Sequence, residues 1–114
     1  MNDCLFCKIA AGNIPAKIVY ETDLCCAFED ITPVAPLHIL IIPKKHMENL
    51  HSMDENDSPI REALFSAISH LVEKNHLTQS GYRLVINSGD DGQQSVPHLH
   101  IHLIGKRSLQ WPPG

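Results

Sequence analysis

Three histidines stand at every second position near the carboxyl end of the chain, in the stretch VPHLHIHLI of residues 96–104. Side chains two residues apart on a β-strand point to the same face, so this spacing predicts a strand with His98, His100 and His102 on one face. Neighbouring histidines would lie about 7 Å apart, and the apolar residues between them would face the core. A solvated polar face is the alternative. Strict alternation of three imidazoles instead favours a functional site.

Four further strands and two helices are predicted from the rest of the chain. Asp3 is expected to cap a short helix that ends near Gly12, and Asp57 or Ser58 to cap a long one. The long helix carries an apolar stripe formed by Ile60, Leu64, Phe65, Ile68, Leu71 and Val72. The strands are predicted at residues 18–21, 25–29, 38–43, 82–87 and 98–104. Elements in this order predict an α+β fold around a five-stranded antiparallel sheet.

Length and composition narrow the class of protein. A chain of 114 residues corresponds to one domain with a modest core. No apolar run approaches the roughly 20 residues of a bilayer span, so no membrane association is expected. The net charge of −4, with no basic cluster beyond two adjacent residues, argues against nucleic acid as a partner. The start MNDCLFCKIA lacks the features of a secretory signal, which predicts a cytoplasmic protein with reduced cysteines.

The histidine strand and the loop before it together predict phosphoryl chemistry. Neutral imidazole is a good nucleophile at phosphorus and is largely unprotonated at neutral pH. The polar loop at residues 88–95 offers donors for phosphate oxygens: backbone amides near Gly89 and Gly92, the side-chain amide of Gln94 and the hydroxyl of Ser95. Such loops are common between strands, so this one gains its weight from the adjacent histidines.

A second motif, Cys4-Leu-Phe-Cys7, has the spacing of a zinc-binding C-x-x-C pair. Zinc needs two more ligands in a tetrahedral set, and His46 and His98 are the best candidates. Such a structural site would tie the N-terminal helix to the histidine strand. The alternative is a pair of thiols packed as small apolar groups. A thioredoxin-like redox role is disfavoured because no βαβ context surrounds the pair.

The run HLHIHLI has the pattern H-φ-H-φ-H-φ-φ, where φ is apolar, and it resembles the signature of the histidine triad (HIT) superfamily. Further matching segments are IPAKIVYE (14–21), AFEDITPVAPLHILIIPKKH (27–46), GYRLVINSG (81–89), GQQSV (92–96) and WPPG (111–114). Together they resemble the HINT branch, the histidine triad nucleotide-binding proteins. The resemblance implies a single HIT domain over residues 1–114, a homodimer with the two sheets joined edge to edge, and activity as a purine nucleoside phosphoramidase.

The resemblance also implies roles for single residues. His100 resembles the nucleophile that attacks the α-phosphorus and forms a nucleotidyl-histidine intermediate. His102 resembles the residue that contacts phosphate and orients the nucleophile, with His38 behind it. Asn87 and Ser95 match positions beside the phosphate and the leaving group, where a hydroxyl can help to protonate a departing amine. The nucleoside-binding positions are Asp30 for the ribose hydroxyls and Phe6, Phe28 and Ile31 for the walls around the base.

Several alternatives accompany these roles. Without the resemblance, core packing would explain the three apolar base-binding residues as well, and turn chemistry would explain Asp30 and Asn87. A dinucleoside polyphosphate hydrolase and a non-catalytic, zinc-stabilised nucleotide-binding protein are the competing functions. The complete triad favours an enzyme, and Ser95 with the WPPG tail, which reaches the partner's active site in relatives, favours the phosphoramidase. Gln93 departs from the branch, which commonly has glycine there, and this predicts altered geometry of the phosphate loop.

Overall fold

A five-stranded antiparallel sheet forms the centre of the computed structural model, which describes residues 3–114. The strands are β1 (Ile18–Glu21), β2 (Cys25–Glu29), β3 (Leu37–Pro43), β4 (Tyr82–Ile86) and β5 (Ile101–Gly105). Their order across the sheet is β1-β2-β3-β5-β4, with every neighbouring pair antiparallel. This confirms the predicted α+β architecture and places β3 at the centre.

Across residues 3–114, three helices accompany the sheet, one more than the sequence predicts. They are α1 (Leu5–Ala10), α2 (Ser58–Lys74) and α3 (Leu77–Ser80), and single 3₁₀ turns at Leu50–Ser52 and Glu55–Asp57 lead into α2. The four-residue α3 follows His76, whose φ of 59° breaks the path of α2. The predicted cap of α1 is wrong, because the capping side chain is Cys4, whose Sγ accepts a hydrogen bond from the backbone N–H of Cys7.

Helices cover both faces of β3, and all seven of its residues are buried. On one face Ile39 and Ile41 pack with residues of α2 such as Leu64, in the larger core. On the other face Leu40 and Ile42 pack with Phe6 and Ile9 of α1. This two-sided cover explains the continuous apolar run from which the strand was predicted.

Two predicted details are wrong, namely one residue of the apolar stripe of α2 and the start of the histidine strand. Phe65 was placed in the apolar stripe of α2, but it is 67% exposed, and the buried side of the helix uses Ala67 instead. The histidine strand begins at Ile101 rather than at His98. Before that point the backbone N–H of Leu99 donates to the carbonyl of Met47, outside the sheet.

Within residues 3–114, no helix combines the length and the apolar character needed to cross a bilayer.

Candidate active site

A cavity of about 300 Å³ lies between α1, the end of β2 and the start of β5. Four lining residues carry the chemistry predicted from the sequence: Asp30, Ser95, His100 and His102. The rest of the wall is largely apolar and includes Phe6, Ile9, Ile14, Phe28, Ile31, Leu40 and Val96. An apolar enclosure with a few polar groups suits a ligand that has both an aromatic and an anionic part.

His100 is held in one tautomer. Its Nδ1 lies 2.7 Å from the backbone carbonyl oxygen of His98, and a carbonyl only accepts, so Nδ1 carries the proton. In this tautomer Nε2 bears the lone pair. The residue is 4% exposed, and its ring packs edge-on against Phe6 with 5.1 Å between the centroids. The arrangement gives a buried, oriented imidazole with one nitrogen available as a nucleophile.

A chain of hydrogen bonds fixes the tautomer of His102 as well. The backbone N–H of Val34 donates to Nδ1 of His38 at 3.2 Å, so the proton of the His38 ring is on Nε2. That Nε2 lies 2.8 Å from Nδ1 of His102 and donates to it. The remaining nitrogen of His102, Nε2, must then be an N–H donor. Among the described residues, this Nε2 is a buried side-chain nitrogen without a hydrogen-bond partner.

Burial keeps the imidazoles of His38 and His102 neutral. Desolvation lowers the pKa of His38, although the nearby carboxylate of Asp30 opposes the shift. Desolvation, reinforced by the neighbouring rings of His100 and His38, lowers the pKa of His102 to about 4. At neutral pH His102 is therefore an uncharged donor beside the ring of His100. An unfilled N–H in a cavity indicates a ligand that brings an acceptor, such as a phosphate oxygen.

Asp30 links the cavity to the histidine chain. Its Oδ1 accepts from the backbone N–H of Thr32 at 2.8 Å, and its Oδ2 lies 3.5 Å from Nε2 of His38. Asp30, His38 and His102 thus bring one potential metal-ligand atom each within 4.8 Å of the others. The hydrogen bond between the two imidazoles accounts for this grouping without an ion. Ile31 is 98% exposed beside Asp30, at the mouth of the cavity.

The loop between β4 and β5 has a tightly specified backbone. A Cβ atom on Gly92 would lie 2.5 Å from the carbonyl oxygen of Ser88, so only glycine fits there. The next residue, Gln93, has a φ of 60° and donates its backbone N–H to the carbonyl of Asp90. Glycine adopts this left-handed conformation without steric cost. Gln93 adopts the conformation at a cost in strain.

Gln94 and Asn87, which the sequence predicts beside the phosphate, do not line the cavity. The side-chain amide of Gln94 donates to the carbonyls of Glu48 and Val96 at 2.6 and 3.0 Å, and its oxygen accepts from Gly89 at 3.1 Å. Its amide is therefore bonded within the protein and braces the loop, and its role as a phosphate donor stays a prediction. Within the described part of the chain, Asn87 follows β4 and is not in the cavity wall. Ser95 is in that wall, as predicted.

A second cluster brings together Cys4, Cys7, His46 and His98, with one ligand atom from each within 4.8 Å of the others. Nδ1 of His98 lies 3.3 and 3.4 Å from the two sulfur atoms and 3.2 Å from Nδ1 of His46. Nε2 of His98 lies 2.8 Å from the carbonyl oxygen of Pro43, so it carries the proton and leaves Nδ1 as a ligand. Burial lowers the pKa of His98, which favours this neutral form.

The predicted histidine face is therefore divided between two sites. His98, with 0% exposure, turns to the thiols, whereas His100 and His102 line the cavity. The sequence prediction missed the aliphatic part of the wall, namely Ile9, Ile14, Leu40 and Val96. No spacing or composition signal distinguishes these residues from ordinary core. The backbone groups of Val34 and Pro43 that fix the tautomers carry no sequence signal either.

Sequence and structure comparisons place the chain among known proteins. The family model of the HIT domain matches residues 11–109. An uncharacterized HIT-like protein of Synechococcus elongatus is 49% identical over 112 residues, which are 98% of this chain and 97% of the relative. The crystal structure of a HIT family hydrolase from Legionella pneumophila has a TM-score of 0.94 and 46% identity, and covers 98% of this chain and 100% of that one. The histidine triad nucleotide-binding protein of Candida albicans has a TM-score of 0.83 and 31% identity, with coverage of 96% and 83%.

Proposed function

Because this chain belongs to the HIT domain family, we propose that it hydrolyses purine nucleoside phosphoramidates through a covalent nucleotidyl-histidine intermediate. The pair of fixed tautomers carries the proposal: His100 offers a lone pair at Nε2, and His102 offers an unfilled N–H. The two ring centroids are 5.0 Å apart in one cavity. A nucleophile beside a donor aimed at phosphate oxygens is what phosphoryl transfer requires.

The proposed reaction has two steps. Nε2 of His100 forms a bond to the α-phosphorus while the P–N bond breaks, and the departing amine takes up a proton, for which the Ser95 hydroxyl is the nearby donor in the cavity wall. Water then attacks the phosphorus and returns a proton to the Ser95 oxygen, the P–Nε2 bond breaks with its electron pair returning to Nε2 of His100, and nucleoside monophosphate leaves. His102 donates its Nε2–H to a phosphate oxygen in both steps. Because burial lowers its pKa, His102 acts at neutral pH as an uncharged hydrogen-bond donor to the developing charge.

The apolar part of the cavity is proposed to hold the base. Phe6 and Phe28 pack against each other with ring centroids 5.4 Å apart at an interplanar angle of 71°, and both line the cavity. Ile31 would cover the base from the open side, and Asp30 would accept from the ribose hydroxyls. Oδ2 of Asp30 also lies 3.5 Å from Nε2 of His38. A ribose hydroxyl that donates to Asp30 would compete with this contact, and nucleoside binding would therefore be coupled to the hydrogen bonds between the histidines.

Zinc is proposed as the occupant of the Cys4, Cys7, His46 and His98 cluster. The observed separations of 3.2 to 3.4 Å between the ligand atoms are near the edges of a tetrahedron, about 3.3–3.8 Å for Zn–S of ~2.3 Å and Zn–N of ~2.0 Å. Zinc with four protein ligands would supply structure, not a reacting group.

A homodimer is proposed on the evidence of the sheet edge. β4 is the last strand of the sheet, and its side chains Tyr82, Leu84 and Ile86 are 46%, 40% and 38% exposed. An apolar edge strand with open hydrogen-bonding groups favours pairing with a second sheet. Arg83 on the same strand lies over the ring of Trp111 at 6.0 Å, which places the tail near that edge. The pairing would bring each tail close to the other protomer.

The decisive experiment offers two substrates, adenosine phosphoramidate and diadenosine tetraphosphate, to the purified protein and to the His100→Ala variant. We expect turnover of the phosphoramidate, faster than that of the tetraphosphate, and loss of about 10³-fold or more in the variant. His51→Ala is the matched control, because His51 is an exposed histidine outside the cavity. Faster cleavage of the tetraphosphate would favour the dinucleoside polyphosphate hydrolase. Binding of AMP without turnover of either substrate would favour a non-catalytic nucleotide-binding protein.

Metal content tests the zinc proposal separately. Elemental analysis of the protein is expected to show one zinc per chain, and loss of it in Cys4→Ser. Cys25→Ala serves as the control, since Cys25 is buried in the larger core on the opposite face of the sheet, where its Sγ lies 3.3 Å from Oγ1 of Thr22 and 3.7 Å from the carbonyl oxygen of Ala63. Equal metal content in Cys4→Ser and the unmodified protein would remove this ligand set.

A further inference from the structure

We propose that the Cys4–Cys7–His46–His98 cluster positions the nucleophile, so that metal occupancy of the cluster sets the turnover rate without setting nucleotide affinity. The inference rests on the proposed function and extends it to control of the same site. None of the four residues lines the cavity, so the cluster cannot contact substrate. Its influence must pass through residues that touch both sites, and among the described residues His98 and Phe6 do so most directly.

The first connection is His98 itself. Its side chain contributes Nδ1 to the cluster, while its backbone carbonyl accepts the hydrogen bond that fixes Nδ1–H of His100. The residue lies before β5, so no sheet ladder holds that carbonyl in place. The anchors of His98 are its ring bond to Pro43, its backbone N–H bond to Val96 and the cluster. Removal of the cluster leaves the side chain tethered at one ring nitrogen only.

The second connection is Phe6, which lies between the two cysteines in the sequence. Its ring centroid is 6.0 Å from that of His98 and 5.1 Å from that of His100, at interplanar angles of 72° and 86°. Edge-on packing of this kind restricts rotation of the His100 ring. Helix α1 has six residues, too few to persist alone, so the position of Phe6 depends on what holds the helix to the sheet.

The rest of the molecule predicts that this effect is local. The larger core lies on the opposite face of the sheet, between β3 and α2, and contains none of the cluster residues. Loss of the metal is therefore expected to leave the sheet folded while the His100 ring exchanges between tautomers and orientations. An imidazole that spends part of its time as the Nε2–H tautomer cannot attack phosphorus during that time. The cavity walls from β2 and the Asp30 region remain, so nucleoside monophosphate should still bind.

The test uses the whole protein in three forms: zinc-loaded, chelator-treated, and the double variant Cys4→Ser with Cys7→Ser. Steady-state kinetics with adenosine phosphoramidate, AMP affinity and long-range ¹H–¹⁵N NMR of the histidine rings are measured on each. We expect kcat to fall about tenfold or more in the two metal-free forms, with the Kd for AMP changed by about twofold or less. The NMR spectrum should show His100 as a single Nδ1–H tautomer only in the loaded form.

Two variants make the comparison specific. Cys7→His keeps a zinc ligand at that position and should retain most of kcat when loaded with zinc. Lys8→Ala changes the same helix without touching the cluster or the cavity and should leave kcat unchanged. A folded metal-free protein with unchanged kcat, a chain that takes up no zinc, or AMP binding lost in step with kcat would each overturn the proposal. If the loaded protein turns over no substrate, the proposed function fails, yet an identical His100 spectrum with and without zinc still overturns the positioning role.

Discussion

Nε2 of His38 lies 2.8 Å from Nδ1 of His102, and this contact determines which nitrogen of His102 faces the cavity as a donor. The chain of hydrogen bonds begins at the backbone N–H of Val34, which donates to Nδ1 of His38. One main-chain amide in the loop before β3 thus specifies, through two rings, the hydrogen that is proposed to meet the phosphate. The chain works only while both imidazoles are neutral, and their burial ensures this.

Replacement of His38 by alanine is expected to lower kcat/KM for the phosphoramidate about tenfold. The variant leaves Nδ1 of His102 without its donor, so His102 divides its population between two tautomers. His38→Gln restores an N–H donor at a similar reach and should recover part of the loss. Kinetics of the three proteins check this, and equal losses in the alanine and glutamine variants would contradict the role of the donor.

The buried neutral state of His102 makes stability depend on pH. Its folded-state pKa of about 4 is below the value of ~6.5 for an unfolded chain, so in this window the unfolded chain binds the additional proton. The free energy of unfolding is therefore complete above the unfolded pKa and falls as the pH is lowered through the window. We expect His102 to account for a loss of about 1–2 kcal/mol between about pH 7 and about pH 5, after allowance for its partial exposure.

Urea unfolding of the unmodified protein and of His102→Gln at both pH values measures this contribution. The Cys4–Cys7–His46–His98 cluster is the same in the two proteins, so the difference between their pH slopes isolates His102. A slope that is the same in both proteins would show that His102 titrates alike in the folded and unfolded states.

The loop before β5 should tolerate a change at one position and not at its neighbour. Gly92→Ala places a methyl group 2.5 Å from the Ser88 carbonyl oxygen, so the backbone must move, at an expected cost of about 2 kcal/mol. Gln93→Gly instead removes the strain of a left-handed glutamine and should leave stability unchanged or raise it by up to about 1 kcal/mol. Thermal unfolding of the two variants checks the contrast, which would fail if both lost stability equally.

A charge on the edge strand should separate the proposed dimer. Leu84→Asp introduces a carboxylate among the exposed apolar residues of β4 and is expected to give a particle of 12.7 kDa in light scattering, half the mass of the unmodified protein. Phe65→Lys is the control, because Phe65 is an equally apolar and more exposed residue on α2. A monomeric unmodified protein, or dissociation in the control alone, would argue against pairing through β4.

The sequence predicted the elements whose buried residues form a clear pattern along the chain. The prolines at 36 and 43 bound β3, and cover on both faces makes its apolar run continuous. The stripe of α2 was predicted for the same reason, except that periodicity cannot separate Phe65, at the margin of the stripe, from its buried neighbours. The short α3 escaped notice because four residues carry too little pattern.

The sequence motif predicted the three histidines of the candidate site. It did not predict that His98 belongs to the Cys–His cluster while His100 and His102 line the cavity. Strict alternation placed His98 on the same face as His100, but the strand starts later, and the ring of His98 turns toward the thiols. Local spacing contains no information on that turn, since it depends on His46 and Pro43, more than fifty residues earlier in the chain. Gln94 was expected to donate to phosphate, and only the fold reveals the carbonyl of Glu48 that occupies its amide.

Helix α1 is synthesised before β5, and Cys4 precedes its partner His98 by 94 residues. A growing chain on the ribosome therefore cannot close the cluster until residue 98 has emerged. Because a six-residue helix does not persist unaided, Phe6 is expected to settle against the ring of His100 only after that segment is available. The proposed active site is thus expected to assemble late in the emergence of this domain.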